Sequence, residues 1–344
     1  MIKNFQKRIK LVYLIVFLLL IVCLLCWFYL FQKSAIQQDS YYILKPTSTL
    51  QDVANDLHNQ INLKNPRLFY LFARLEGADN QLKAGEYFFP KGSTINDILT
   101  RLVKGIMFYH QFTIVNGWTL NQVMNALNNN PYLIHQLSHL SDKAVAKTIG
   151  CSHPSLEGWL YPSTYRFHKE TTDLALLQKA YQAMQEKLNQ EWNQRASHLV
   201  YQNSYQVLIV ASMIEKETST NAERPMIAAV ILKRLKIWMP LQIDSTVIYG
   251  LGKHYTGELT HQDLRRDTIY NTYTRYGLPP TPIAMPSLSS IHAALHPADT
   301  DSLYFVSKGD GSHQFSTTLK DHDAAIDQYQ LKSNETPRAN TQHP

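Results

Sequence analysis

The chain lacks charge where a membrane would forbid it. Leu11 to Phe31 is an unbroken run of twenty-one uncharged residues, enough to span a hydrocarbon core of ~30 Å. The ten residues before it contain no acid but carry Lys3, Lys7, Arg8 and Lys10. Small residues are missing where processing would need them. Val22 and Leu25 precede Cys23 and Cys26, which makes a poor lipoprotein site, and the run is longer than the ~7–15 apolar residues of a cleaved signal peptide. A retained transmembrane anchor is therefore expected, with its basic flank in the cytoplasm and everything after Gln32 outside. Cysteine is nearly absent. Two of the three lie in the apolar run, so Cys151 has no partner elsewhere in the chain and stability outside the membrane must come from packing. Excess positive charge is also missing from that part. The first ten residues supply +4 of the formal +6, leaving +2 over 334 residues, so no basic patch for nucleic acid is expected. No phosphate-binding glycine loop, H-E-x-x-H or cysteine ligand set occurs. No cofactor and no metal site are expected.

What is present after the polar tether Gln32–Ser40 divides into two stretches. From residue 41 to 109 the pattern is that of a small α+β unit. Tyr41–Leu44 is strand-like, Ser48 or Thr49 caps a helix carrying Leu50, Val53, Ala54 and Leu57, and Pro66 opens a second helix. Gly85–Phe89 is a second strand, and Ser93 or Thr94 caps a helix from Ile95 to Val103 that stops at Gly105. The second stretch, 110 to 331, opens on a short strand, His110–Val115, a turn and a helix from Leu120 to Leu127. Pro131–Ile149 is expected to be helical, with His135 and His139 on one face as solvated histidines. Leu174–Trp192 is a long helix, Asp321–Leu331 a last one, and 332–344 a disordered polar tail. His296, His313 and His322 are expected to be hydrogen-bonded structural histidines.

The chemistry is expected in Ser204–Leu241. Val207, Leu208, Val210, Ala211, Ile214 and Thr218 recur at helical spacing. Glu215 and Glu217 arrive at the C-terminal end of this helix, where the helix dipole disfavours negative charge. Residues two apart on a helix differ by about 200°, so the two carboxylates cannot face one cleft. Glu217 is nearer the turn and is the better candidate. A carboxyl partly removed from water there has a raised pKa and holds a proton at neutral pH. On the helix alone, two solvated carboxylates are the favoured reading.

The motifs that follow decide the matter: ASMIEKET (Ala211–Thr218), LQIDSTVIYGLG (Leu241–Gly252), YNTY (Tyr270–Tyr273), YGLPPTPIAMPS (Tyr276–Ser287), AALHP, LYFV and GSHQF. In this order and spacing the chain resembles the endolytic murein transglycosylases of the MltG type, the YceG-like family, from about Tyr41 to about Tyr329. The resemblance implies an α+β fold with one N-terminal transmembrane helix (11–31, after a cytoplasmic tail, 1–10), a LysM-like subdomain (41–109) and a YceG-like catalytic domain (110–331). It makes Glu217 the catalytic acid/base. Gln242 and Asp244, expected to share one face of a strand, Asn271 and Tyr273 are implied to position the sugar. Glu157-Gly158-Trp159 keeps a family pattern of E-G and aromatics, so Glu157 and Trp159 are further substrate-binding candidates; Trp159 either stacks on a sugar ring or packs behind the cleft. The LysM-like subdomain either holds glycan or merely packs. The proline-rich loop Leu278–Pro286 is expected to wall the groove. Ser245 stands where the family commonly has proline, Ser287 where it usually has glycine.

The implied activity is cleavage of the β-1,4 bond between N-acetylmuramic acid and N-acetylglucosamine in nascent peptidoglycan. It leaves 1,6-anhydro-muramyl ends and helps end glycan elongation. Peptidoglycan glycan strands are the implied partner, with cell-wall synthases a further one, at the outer, periplasmic face of the inner membrane. Two rivals remain: a muramidase using Asp244 as a second carboxylate, and a non-catalytic glycan-binding scaffold.

Overall fold

The computed structural model describes residues 2–331; the polar tail expected at 332–344 lies outside them. The chain forms two compact units, one running to His110 and taking in Arg166–Lys169, the other comprising Gln111–Tyr165 and the described chain from Glu170.

The first unit begins with α1, Ile2–Phe31. Within it Ile9–Phe31 contains an 18-residue window of mean hydropathy 3.1 and is long enough to cross a membrane, and its apolar side chains, Leu14, Phe17 and Leu24 among them, are exposed. The remainder alternates β1 (Ser40–Leu44), α2 (Leu50–Ile61), α3 (Pro66–Leu75), β2 (Gly85–Phe89) and α4 (Ile95–Lys104). β1 and β2 pair antiparallel with Tyr42 opposite Tyr87. Both tyrosines join Leu57, Phe69, Phe89, Ile98 and Leu102 in one core. The helix starts are written in the sequence. Thr49 and Thr94 each accept from the backbone N–H of an aspartate three residues on, and Asp52 and Asp97 return the bond, which satisfies two orphan donors per helix.

The second unit runs β3 (His110–Thr113), α5 (Leu120–Asn128), α6 (Asp142–Ile149), β4 (Thr164–Phe167), α7 (Asp173–Asn193), α8 (Ser204–Glu217), α9 (Arg224–Lys236), α10 (Asp244–Leu251), α11 (His261–Arg265), α12 (Leu288–Leu295), β5 (Tyr304–Ser307), β6 (His313–Ser316) and α13 (Leu319–Ile326). His110 at the start of β3 and Arg166–Phe167 of β4 belong to the first unit. The centre is α8, packed by α7, α9, α10 and α12. Every residue from Val207 to Ile214 is buried. The spacing of three and four expected for a helix lying on a core therefore understates it, because neighbours cover α8 on all sides. Its buried Ser212 bonds Ile209 O and accepts from Ile283 N at 3.0 Å.

Three expectations fail locally, each for want of free backbone. Pro131–Leu140 is a series of turns, with helix only in α6. Buried Asp173 takes the N–H groups of Gln136 and Leu137 at 3.0 and 3.1 Å, so His135 and His139 share no helical face. Leu241–Ile243 is not a strand. Gln242 sits in the left-handed region at φ 51°, its N–H and that of Ile243 go to Thr272, and Asp244 is already the first residue of α10. The proline-rich loop threads the interior rather than walling a groove. Ile283, Ala284 and Met285 are buried, and Met285 exchanges backbone bonds with Trp118 and Gly117. Gly158 accommodates that loop. Its φ is +78°, and a Cβ there would stand 2.5 Å from Pro282.

Candidate active site

Glu217 closes α8 and faces a cavity of about 360 Å3 in the second unit, which Gln242, Asp244, Tyr273, Arg234, His313 and His322 also line. Glu217 Oε1 accepts from Ser245 Oγ at 2.8 Å. Burial pushes its carboxyl above the ordinary 4.5 and Asp244 adds to this; the Ser245 bond and the charges of His313 and Lys216 act the other way. The net direction favours the protonated form that a general acid needs.

Glu215, two residues earlier, points elsewhere. Its Oε2 accepts from Ser287 N at 2.9 Å, from Ser290 Oγ at 2.7 Å and from Ser287 Oγ, while Oε1 lies 3.5 Å from Arg224 Nη2. It ties α8 to α12 and α9. The 200° argument separates the two glutamates as expected, and the serine at 287 is what makes Glu215 a strut.

Of the residues expected beside Glu217, three share its cavity. Asp244, at the start of α10, accepts from the Tyr273 hydroxyl, and a helix N-terminus suits a carboxylate. Burial, then this bond, raises the Tyr273 phenol and keeps it a donor. Gln242 accepts from Arg234 Nη1 at 3.3 Å. The other three do not line the cavity. Asn271 is buried and spends its side chain on backbone: Nδ2 donates to Leu264 O and Arg266 O at 3.0 and 2.8 Å, and Oδ1 accepts from Tyr273 N at 2.8 Å. It fixes the turn that presents Tyr273. Glu157, also buried, accepts from Leu120 N at the start of α5 and from Tyr249 Oη at 3.0 Å. Burial pushes its carboxyl up to about 7, against those hydrogen bonds. Trp159 lies in a pile of rings, stacked 5.8 Å from Tyr205 and 5.3 Å from His153.

Four lining or supporting groups were not assigned to the site from the sequence. Ser245 is one. Arg234 is buried near the end of apolar α9, and its guanidinium donates to Leu303 O at 2.7 Å and to Leu241 O at 2.8 Å and lies over the Tyr304 ring. Burial lowers its pKa. His313, inside GSHQF, is gripped by Glu223, whose two oxygens take its N–H at 2.8 Å and Nδ1 at 2.7 Å. Burial opposes ionisation of Glu223, yet the His313 bonds hold it below its ordinary value. His322 stacks 5.0 Å from Tyr304, and burial lowers its pKa. The cavity thus brings acids and bases together: one carboxyl raised, a second bonded to a tyrosine, a fixed guanidinium and two imidazoles.

Comparison with known proteins agrees with this architecture. The profile of the YceG-like family matches residues 42–328. The endolytic murein transglycosylase of Bacillus subtilis is 34% identical over 308 residues, 84% of this chain and 84% of that protein. The protein of the same name from Streptococcus pneumoniae is 27% identical over 312 residues, 81% of this chain and 56% of its own length. The crystal structure of a YceG-like protein from Listeria monocytogenes superposes with a TM-score of 0.50 at 27% identity, covering 84% of this chain and 99% of the other. With the family profile spanning both units, the chain belongs to the YceG-like family.

Proposed function

We propose that the chain is an endolytic murein transglycosylase, which cuts the glycan strands of peptidoglycan internally, between N-acetylmuramic acid and N-acetylglucosamine. The observation that carries the site assignment is Glu217. It is a carboxyl raised by burial, facing a cavity with an acceptor–donor pair, Asp244 and Tyr273, beside it.

In this reading Glu217 protonates the glycosidic oxygen that leaves the muramyl anomeric carbon. The substrate's own N-acetyl group stabilises the developing positive charge, in place of an enzyme nucleophile. Ionised Glu217 then takes the proton of the muramyl C6 hydroxyl as that oxygen attacks the anomeric carbon. Nucleophile and electrophile share one ring, so the closure has the advantage of enforced proximity. The product is a 1,6-anhydro-muramyl end and no water is consumed. Gln242, Asp244 and Tyr273 orient the sugar, and Asn271 acts through Tyr273. The first unit, with its strand–helix–helix–strand order, holds the glycan near the membrane. In the same reading the basic flank keeps the start of α1 in the cytoplasm and the second unit acts outside it, where an association with cell-wall synthases would bring newly made strands to the cavity.

A hydrolase needs a second carboxylate to carry a nucleophile or activate water. Asp244 is that alternative, but its Oδ1 is engaged by Tyr273. Mass spectrometry of purified peptidoglycan digested by the full chain separates the readings. Anhydro ends, lighter than reducing ends by one water, support the transglycosylase; reducing muramyl ends overturn it and give Asp244 a catalytic role.

A further inference from the structure

Glu191 in the last turn of α7, His292 in the last turn of α12 and His296 just beyond it come together within the second unit, outside the lining of the Glu217 cavity. One ligand-capable atom from each lies within 4.8 Å of the other two. We propose that these three side chains bind a single Zn2+ ion.

Four observations support this. His292 and His296 are i and i+4 at the end of α12, and their rings stack with centroids 4.3 Å apart at 25°, so the two imidazoles adjoin and a rotation turns a nitrogen of each to one ion. Glu191 already meets one of them, its Oε2 lying 2.8 Å from His292 Nδ1. The site lies where two helices end together. α7 packs on α12, and Ala196 N just past α7 donates to Leu295 O at 3.1 Å. Two C-terminal dipole ends converge, each favouring a cation. Finally, Glu191 and His292 line a second cavity of about 650 Å3, by which an ion reaches them from solvent.

The donor set chooses the ion. Two imidazoles and one carboxylate suit Zn2+, which takes three protein ligands and leaves a fourth position to water. Magnesium and calcium call for oxygen ligands throughout. Ligand atoms around one Zn2+ at about 2.0–2.2 Å stand closer together than the present spread, so a side chain must rotate. The His292 side chain is 59% exposed and has the freedom. The ion replaces the His292–Glu191 hydrogen bond and clamps α7 to α12. This inference does not depend on the chemistry at Glu217.

The test uses the full chain in detergent, stripped with EDTA and titrated with ZnCl2 by calorimetry, with thermal melting alongside. Wild type is expected to bind one equivalent and to melt at a higher temperature with zinc. Glu191→Gln and His296→Gln should each lose affinity by at least about 10-fold, since even groups that merely support a ligand are worth that much. Both should melt like metal-free wild type without zinc, and exposed His139→Gln should behave as wild type throughout. Wild type that binds no zinc, or binds it as tightly as the two cluster variants do, overturns the site.

Discussion

Ser245 Oγ donates to Glu217 Oε1 across 2.8 Å, joining the end of the central helix α8 to the first turn of α10. The carboxyl is thus removed from water yet keeps one donor that favours its charged form. Removing that donor tests what it does. Ser245→Ala should raise the Glu217 pKa further, because the lost hydrogen bond favours the charged form. The acid form then persists to higher pH, and the alkaline limb of kcat/KM shifts upward. An unmoved or lowered limb would show that the limb belongs to another group.

The two glutamates of EKET should fail in different ways. Glu217→Gln removes the transferable proton, so turnover falls by ~10²-fold or more while the melting temperature stays near wild type. Glu215→Gln takes charge from the acceptor of Ser287 and Ser290 and from the partner of Arg224. It should cost about 1–3 kcal/mol of stability and leave the pH profile of activity in place. Turnover and thermal unfolding of both variants check the pair, and the reverse order of damage refutes the assignment.

Glu157 makes stability depend on pH. Its folded pKa of about 7 stands above the ordinary 4.5, so the native state binds the proton more tightly than the unfolded chain. The contribution is full below about 4.5, declines as pH rises and is lost above about 7, a change of roughly 3 kcal/mol. Glu157→Gln should flatten the curve through that window in denaturant unfolding measured from pH 4 to 8. A dependence as steep as wild type would place its origin elsewhere.

Gly158→Ala tests the contact between the E-G turn and the proline-rich loop. The new methyl meets Pro282 at 2.5 Å in a left-handed backbone conformation, and both effects are unfavourable. A loss of about 2–4 kcal/mol is expected from overpacking and backbone strain together. Gly92→Ala, also at positive φ but with nothing within 4 Å, should lose only the backbone part.

Local signals in the sequence were enough for the long apolar helix, the capped helices and the two strands of the first unit. An apolar run, threonine–aspartate capping boxes and a glycine after a helix act within a few residues of themselves, so no tertiary knowledge is needed to read them. That Glu217 and Glu215 face different surroundings was also legible, because helical geometry alone turns the two apart. What surrounds Glu217 was not. Gln242 and Asp244 line the cavity through a left-handed residue and a helix start, although alternation pointed to a strand. Asn271, Glu157 and Trp159 belong to the same motifs as cavity residues, yet their side chains hold backbone or pack on rings. Arg234 and His313 reach the cavity from separate elements, and Ser245 and Glu223 bond its lining residues Glu217 and His313. A motif fixes which residues lie close in the chain. Which polar groups meet across a cavity depends on how α8, α9, α10 and the β5–β6 hairpin pack, and that packing is set by buried surface contributed from the whole unit.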